Sequence, residues 1–153
     1  MISFDPIRVF FDASCIVAAA GSPSGGSGNI LYSCANTPIQ IISSESALAE
    51  AERAVQLKMK DAAYQHLQAL KTQGLFGVAT APGGSVHLDG IEQINQKDQH
   101  IVLSAYSGGC IHLITLDRRL MNEIIIANLP LYPWIPDSFI KEVMRPILDA
   151  YSK

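Results

Sequence analysis

Four acidic residues stand where an oxygen-ligated divalent cation would need them. Asp12 ends the apolar run RVFFD and Asp117 ends CIHLITLD; Glu50 sits inside a helical pattern, and Asp98 opens another. A short apolar strand that ends in an acid presents its carboxylate at the carboxyl edge of a parallel sheet, where open α/β sheets hold their ligands. Two such strands aim two carboxylates at one place. Hard cations such as magnesium or manganese take carboxylate oxygens together with waters and substrate phosphate oxygens. An ion held this way can ionise a water near neutral pH and neutralise charge on a phosphodiester, and a pair of ions can stabilise both the attacking and the leaving oxygen. Carboxylates crowded together without an ion repel, each raising its neighbours' pKa.

Each acid also has a plainer reading. Asp12 precedes a helical pattern and suits an N-cap. Glu50 shares its helix with Glu45 and Glu52, any of which could be a solvated acid, and Glu52 is its substitute. Asp98 fits a first-turn acid favoured by the helix dipole. Asp117 precedes Arg118 and Arg119, so a local ion pair is its alternative. Those two arginines are candidate phosphate contacts, since guanidinium forks match phosphate oxygens, with a solvated basic turn as the other reading. His66, His87, His100 and His112 lack zinc spacing, and Cys15, Cys34 and Cys110 fit neither a disulfide framework nor a CxxC site. The cysteines read as reduced thiols, with Cys15 and Cys110 in the core. The glycines of SPSGGSGN, residues 22–29, lack the Lys-Ser/Thr that ends a phosphate-binding P-loop.

The elements that must position the acids follow from periodicity and punctuation. RVFFD predicts a first strand, SCIVAAAG a helix ended by Gly21, and residues 22–29 a loop with Ser27 as a cap for a helix over 28–35. IQII, residues 39–42, reads as a second strand, followed by a helix from Ser43 or Ser44 and another over about Asp61 to Thr72, before Gly74. LFGVATA, residues 75–81, suggests a third strand, PGGS a turn, and VHLDG a short extended piece. Asn95 or Gln96 is placed to cap a helix from Lys97 to Tyr106 that Gly108 and Gly109 end. CIHLITLD gives a fourth strand and Arg118 to Asn122 a helical turn. IIIA is open between strand and helix; a proline-spaced connection leads to a helix from Asp137 to Tyr151 that Pro146 must bend or interrupt. Alternation of strands with helices predicts a parallel sheet covered on both faces.

With 153 residues, 48% of them hydrophobic, the chain fits one domain over 1–153 with a single core. No stretch approaches the ~20 apolar residues of a membrane span, because Pro130, Pro133 and Pro136 divide the most apolar late segment. MISFDPIRVFFDAS carries Asp5 and Pro6 where a secretory signal would be basic and then apolar. A soluble cytoplasmic protein with no membrane association is expected. The formal charge of −3 argues against coating nucleic acid by bulk charge. Once the four acids are set against bound cations the remainder is slightly positive, so a phosphate-bearing substrate stays compatible.

VFFDAS at 9–14, SESALAE at 44–50, KDQHIVLSAYSGG at 97–109, ITLDRRL at 114–120 and PDSFIKEV at 136–143 together resemble the PIN-domain ribonucleases, the family that includes many toxins of toxin-antitoxin pairs. The resemblance implies a PIN-like three-layer sandwich, with a central, mostly parallel sheet flanked by helices. It implies that Asp12, Glu50, Asp98 and Asp117 form a catalytic metal site for Mg2+ or Mn2+, with Ser14 and Thr115 supporting the acids. The activity it implies is endoribonuclease cleavage of RNA, with a protein antitoxin and a homodimer as expected assemblies. Loop 22–29 is glycine-rich where a basic loop would carry substrate contacts, and residues 58–92 match no family motif.

Two other classes compete with the nuclease. One is a PIN-like binding or scaffold domain without autonomous activity. The other is a phospho-acceptor domain, which needs an acidic pair beside the first strand and a lysine after a late one. Asp12 has no adjacent acid, and Arg118 stands where that lysine would be.

Overall fold

In the computed structural model, residues 5–79 and 86–152 are described. Five strands, β1 (Ile7–Phe11), β2 (Ile39–Ser44), β3 (Gly77–Ala79), β4 (His112–Ile114) and β5 (Tyr132–Trp134), form one sheet in the order β3-β2-β1-β4-β5. Every pairing is parallel, with Val9 opposite Ile41 on one side of β1 and Phe10 opposite Leu113 on the other.

Period-two alternation in β1 divides the interior between the two faces of this sheet. Val9 and Phe11 join one cluster with Ile16, Leu31, Ile41, Leu67, Ile114 and Phe139. Phe10 joins the other with Ile101, Val102, Leu113, Leu120 and Ile124. The first face is thus covered by α1 (Ala13–Gly21), α2 (Gly26–Cys34), α3 (Glu45–Lys58), α4 (Asp61–Thr72) and α7 (Pro136–Phe139), and the second by α5 (Gln99–Ser107) and α6 (Arg118–Ile126). A three-layer α/β sandwich results. Phe10 and Phe11 are fully buried back to back, each burial stabilising the fold by about 1.5–3 kcal/mol.

The sheet order places the site. From β1 the chain crosses to β2 and β3 on one side, then returns to β4 and β5 on the other, so the carboxyl ends of β1 and β4 flank the point where the winding reverses. Asp12 directly follows β1, and Thr115 directly follows β4.

Several elements differ from their expected form. Ser27 lies inside the first turn of α2 and Gly25 occupies the cap position, so half of the expected 22–29 loop is helix. Gly28 permits this packing, because a Cβ there would meet the Pro23 carbonyl oxygen. Within VHLDG, residues 86–88 form no strand and Asp89–Gly90 make a turn. The third strand is described over Gly77–Ala79; the rest of LFGVATA after Ala79, and PGGS, lie outside the described residues. The isoleucines of IIIA are the end of α6, which runs a full turn beyond Asn122 and is capped by Ala127.

The proline-spaced connection hides β5. Pro133 pairs with Leu113 there, and an edge strand tolerates a residue with no N–H to give the ladder. The last helix is interrupted as Pro146 requires: α7 gives way to a π turn over Ile140–Met144 before α8 (Arg145–Tyr151), and Arg145 N–H reaches back to the Ile140 carbonyl. Among the described residues no helix is long and apolar enough to cross a membrane.

Candidate functional site

Asp12 leaves β1 with its backbone N–H bonded to the Ile114 carbonyl at 3.0 Å, so β4 fixes its position before its side chain is considered. The carboxylate then makes three bonds. Oδ1 accepts from Ala13 N–H at 2.7 Å at the start of α1, while Oδ2 accepts from the Thr115 hydroxyl at 2.7 Å and from the Ser14 hydroxyl at 3.4 Å. The capping role read as the plain alternative for Asp12 is therefore real, and it coexists with two side-chain donors.

Thr115 ties the two strand-end acids together. Its Oγ1 donates to Asp12 and accepts from the backbone N–H of Asp117 at 3.0 Å. Ser14 makes a second bridge, accepting from Leu116 N–H at 3.1 Å. Asp117 closes the arrangement as the cap of α6, with Oδ1 accepting from the N–H groups of Arg119 at 3.0 Å and Leu120 at 3.2 Å. The local ion pair considered for Asp117 gives way to this cap; the guanidinium of Arg119 goes elsewhere.

Asp98 is nearly buried and stands in a 3-10 turn, Gln96–Asp98, that leads into α5. Asn95 shapes this turn, its side chain accepting from Lys97 N–H at 3.1 Å and its carbonyl from Asp98 N–H at 2.8 Å. Asp98 makes no capping bond to α5. Its Oδ2 instead accepts from Arg119 Nη2 at 2.8 Å, and Arg119 Nη1 lies 3.9 Å from Glu123 Oε1 one helical turn on. Glu123 is itself anchored by Asn95 N–H at 3.3 Å. Sequence reading passed over Glu123, although its i,i+4 spacing from Arg119 was the available signal. Arg118 points to a different surface, lining a cleft with Ser22, Gly26, Leu116 and Asp137.

Glu50 is exposed on α3, which begins where the Ser44 hydroxyl caps it by accepting from Ala47 N–H. Its substitute Glu52 is committed elsewhere, in an ion pair with Lys71 of α4 that holds its carboxyl below the usual range. Three of the histidines have partners outside the acids of the site: His66 bonds the Ala20 carbonyl and Tyr32, exposed His87 bonds Asp89, and His112 accepts from the Trp134 indole. Cys15, Cys34 and Cys110 are buried and free, and burial pushes each thiol up to about 12, too high to supply a thiolate nucleophile.

The electrostatics link the four acids into one field. Burial raises the Asp12 pKa most, the Thr115 and Ala13 donors oppose it, and the charges of Glu50 and Asp98 raise it further. Asp98 is also raised, first by burial, then by Asp117 and Glu123, against the lowering pull of Lys97 and Arg119. Each acid is thus near enough to at least one other to feel its charge. Among the described residues no three His, Cys, Asp or Glu side chains are drawn together closely enough to hold an ion as they stand. The donor chemistry nevertheless fits a hard cation: all four groups are carboxylates, and a positive charge among them would relieve the repulsion that raises two of them. Their spacing is open, with Asp98 bonded to Arg119 and Asp117 to the α6 backbone.

No family model and no curated protein matches this chain. Among solved structures, a chain in the crystal structure of VapBC2 from Rickettsia felis, bound to a DNA fragment from their promoter, matches with a TM-score of 0.54. The fold is PIN-like. The match covers 84% of this chain and 98% of that one at 15% identity, an identity at which the likeness speaks for architecture. The PIN-like sandwich expected from sequence is therefore the architecture found, with a sheet that is parallel throughout.

Proposed function

We propose that this chain is a divalent-metal-dependent endoribonuclease that hydrolyses RNA phosphodiester bonds, acting as the toxin of a toxin-antitoxin pair. The observation that carries the proposal is the bridge made by Thr115 between Asp12 and Asp117 at the point where the sheet reverses its winding. A hydroxyl that orients the Asp12 carboxylate and also holds the Asp117 backbone, in a fold whose ligand crevice lies there, is the kind of support a cation site requires.

In this reading Asp12, Glu50, Asp98 and Asp117 hold Mg2+ or Mn2+. The ion supplies charge neutralisation at the scissile phosphate and a lowered pKa for the attacking water. The chain's own residues do the rest. Thr115 and Ser14 orient Asp12 by donating to Oδ2, the Thr115 bond favouring its ionised form against burial, and the α6 backbone holds Asp117 by its other role as a cap. Exposed Glu50 is free to move toward an arriving ion, Arg119 stands at the crevice as a cationic contact for the RNA backbone, and Arg118 offers a second such contact from the cleft it lines with Ser22 and Asp137. The likeness to a VapBC2 chain supports a protein antitoxin as partner. A homodimer and a cytoplasmic location are part of the same proposal.

The open spacing of the acids favours one competing reading, a PIN-like scaffold without activity of its own. The two separate in one assay. Purified protein should cleave RNA with manganese, stop with EDTA, and recover on adding manganese back, whereas a scaffold is inert under all three conditions.

A further inference from the structure

Arg119 occupies an unusual position for a surface arginine at a helix start. Its guanidinium sits 2.8 Å from an oxygen of the nearly buried Asp98, yet 46% of its side chain is exposed against 12% for Asp98. The acid is the more enclosed partner and the cation the more exposed one. A second acid, Glu123, lies 3.9 Å from the other arm of the same guanidinium, and Asn95 N–H keeps it in place. One arginine therefore stands between two carboxylates, one belonging to the proposed metal site and one outside it.

We propose that Arg119 is an internal counter-ion of the acidic site, held on Asp98 until a divalent cation displaces it onto Glu123. The inference rests on the metal-site reading of Asp98 and extends it to how that site is kept in the absence of an ion. Without Arg119, Asp98 would face the charges of Asp12, Asp117 and Glu123 with only Lys97 to offset them. With Arg119 in place the site is neutralised at home, and the ion must exchange with a guanidinium to reach Asp98 Oδ2. Glu123 makes the exchange inexpensive, because its carboxylate already lies 3.9 Å from the guanidinium and the displaced cation keeps a partner. This also accounts for the spacing of the acids: one member of the set is turned toward an arginine rather than toward the others.

Competition of this kind has a sign that is opposite to that of a ligand or a substrate contact. Removing Arg119 should strengthen metal uptake, not weaken it. Calorimetric titration of metal-free protein with manganese at neutral pH measures this directly, without any turnover. Arg119→Gln should bind manganese roughly fivefold more tightly, the scale of a half-exposed ion pair. Arg118→Gln removes the same charge one residue away, from a side chain that lines another cleft, and should change the affinity by less than about twofold. Arg119→Lys, which keeps the charge and gives up the planar fork, should fall between the first variant and the unmodified protein, and it decides the matter should Arg119→Gln not fold.

Unchanged or weaker manganese binding in the Arg119 variants, with normal uptake by the unmodified protein, overturns the counter-ion role and leaves the metal site standing. An equal gain in Arg118→Gln overturns it too, since general charge would then explain the effect. Absence of uptake by every form removes the metal-site reading and the counter-ion with it.

Discussion

The two strand-end acids and the two helix-borne acids of this site are held by different means. Asp12 and Asp117 are locked: one hydroxyl, Thr115 Oγ1, bonds both, and each also caps the start of a helix. Glu50 and Asp98 are set by nothing of the kind, the first being exposed on α3 and the second paired with a half-exposed guanidinium. A rigid half and an adaptable half is a workable way to build a site that must admit an ion and an RNA phosphate together, because magnesium keeps several ligands that are not protein. The rigid half sets position; the adaptable half completes coordination.

Breaking the rigid half should have the largest effect. Asp12→Asn and Asp117→Asn should each lower manganese-dependent RNA cleavage on the order of 10²–10³-fold in steady-state assays, the scale for losing one group that stabilises the reacting charge. Thr115→Val tests the bridge itself. It should cost roughly 10–100-fold in manganese affinity by calorimetry and about 1–3 kcal/mol in denaturant unfolding, because buried Asp12 Oδ2 loses its closest donor. In the adaptable half, Glu50→Gln should reduce cleavage by about tenfold. Glu52→Gln should leave cleavage unchanged and lose no more than ~1 kcal/mol of stability, since its partner is Lys71 on α4. Equal effects of the two substitutions would show that the wrong face of α3 has been assigned to the site.

The smallest effect concerns pH. Burial and neighbouring charge raise the Asp12 pKa in the folded state, so the fold binds that proton more tightly than the unfolded chain does. The fold is therefore destabilised as pH climbs from the ordinary carboxylate range through the raised folded value, and the cost is complete above it. Asp12→Asn removes this cost. Without metal, its melting temperature should exceed that of the unmodified protein by about 2–4 °C at neutral pH, and the difference should vanish as pH falls into the ordinary carboxylate range. Taking the difference between the two proteins cancels other titrations such as that of His112, whose pKa burial lowers.

How much of this was legible in sequence follows the same division. The strand-end acids are marked by short apolar runs, and β1, β2 and the helix starts at Ser44 and Asp61 lie close to where periodicity puts them. Glu50 and Glu52 look alike in a local pattern, because what separates them is Lys71, a residue on another helix. Arg119 looked like a local partner of Asp117, whereas its bond spans 21 residues to Asp98. β5 was concealed since Pro133 signals a break in any local rule, and only the empty edge beyond β4 makes it a strand. Contacts between elements distant in sequence decide each of these, and periodicity carries no record of them.

The claim that all else depends on is that these carboxylates share one cation. A crystal soaked in manganese, with data collected to bring out the metal's anomalous signal, addresses it most directly. The account predicts density within ligand distance of Asp12 and at least one of Asp98 and Asp117, with Arg119 turned toward Glu123. Strong density confined to other surfaces, with Arg119 still seated on Asp98, would contradict it.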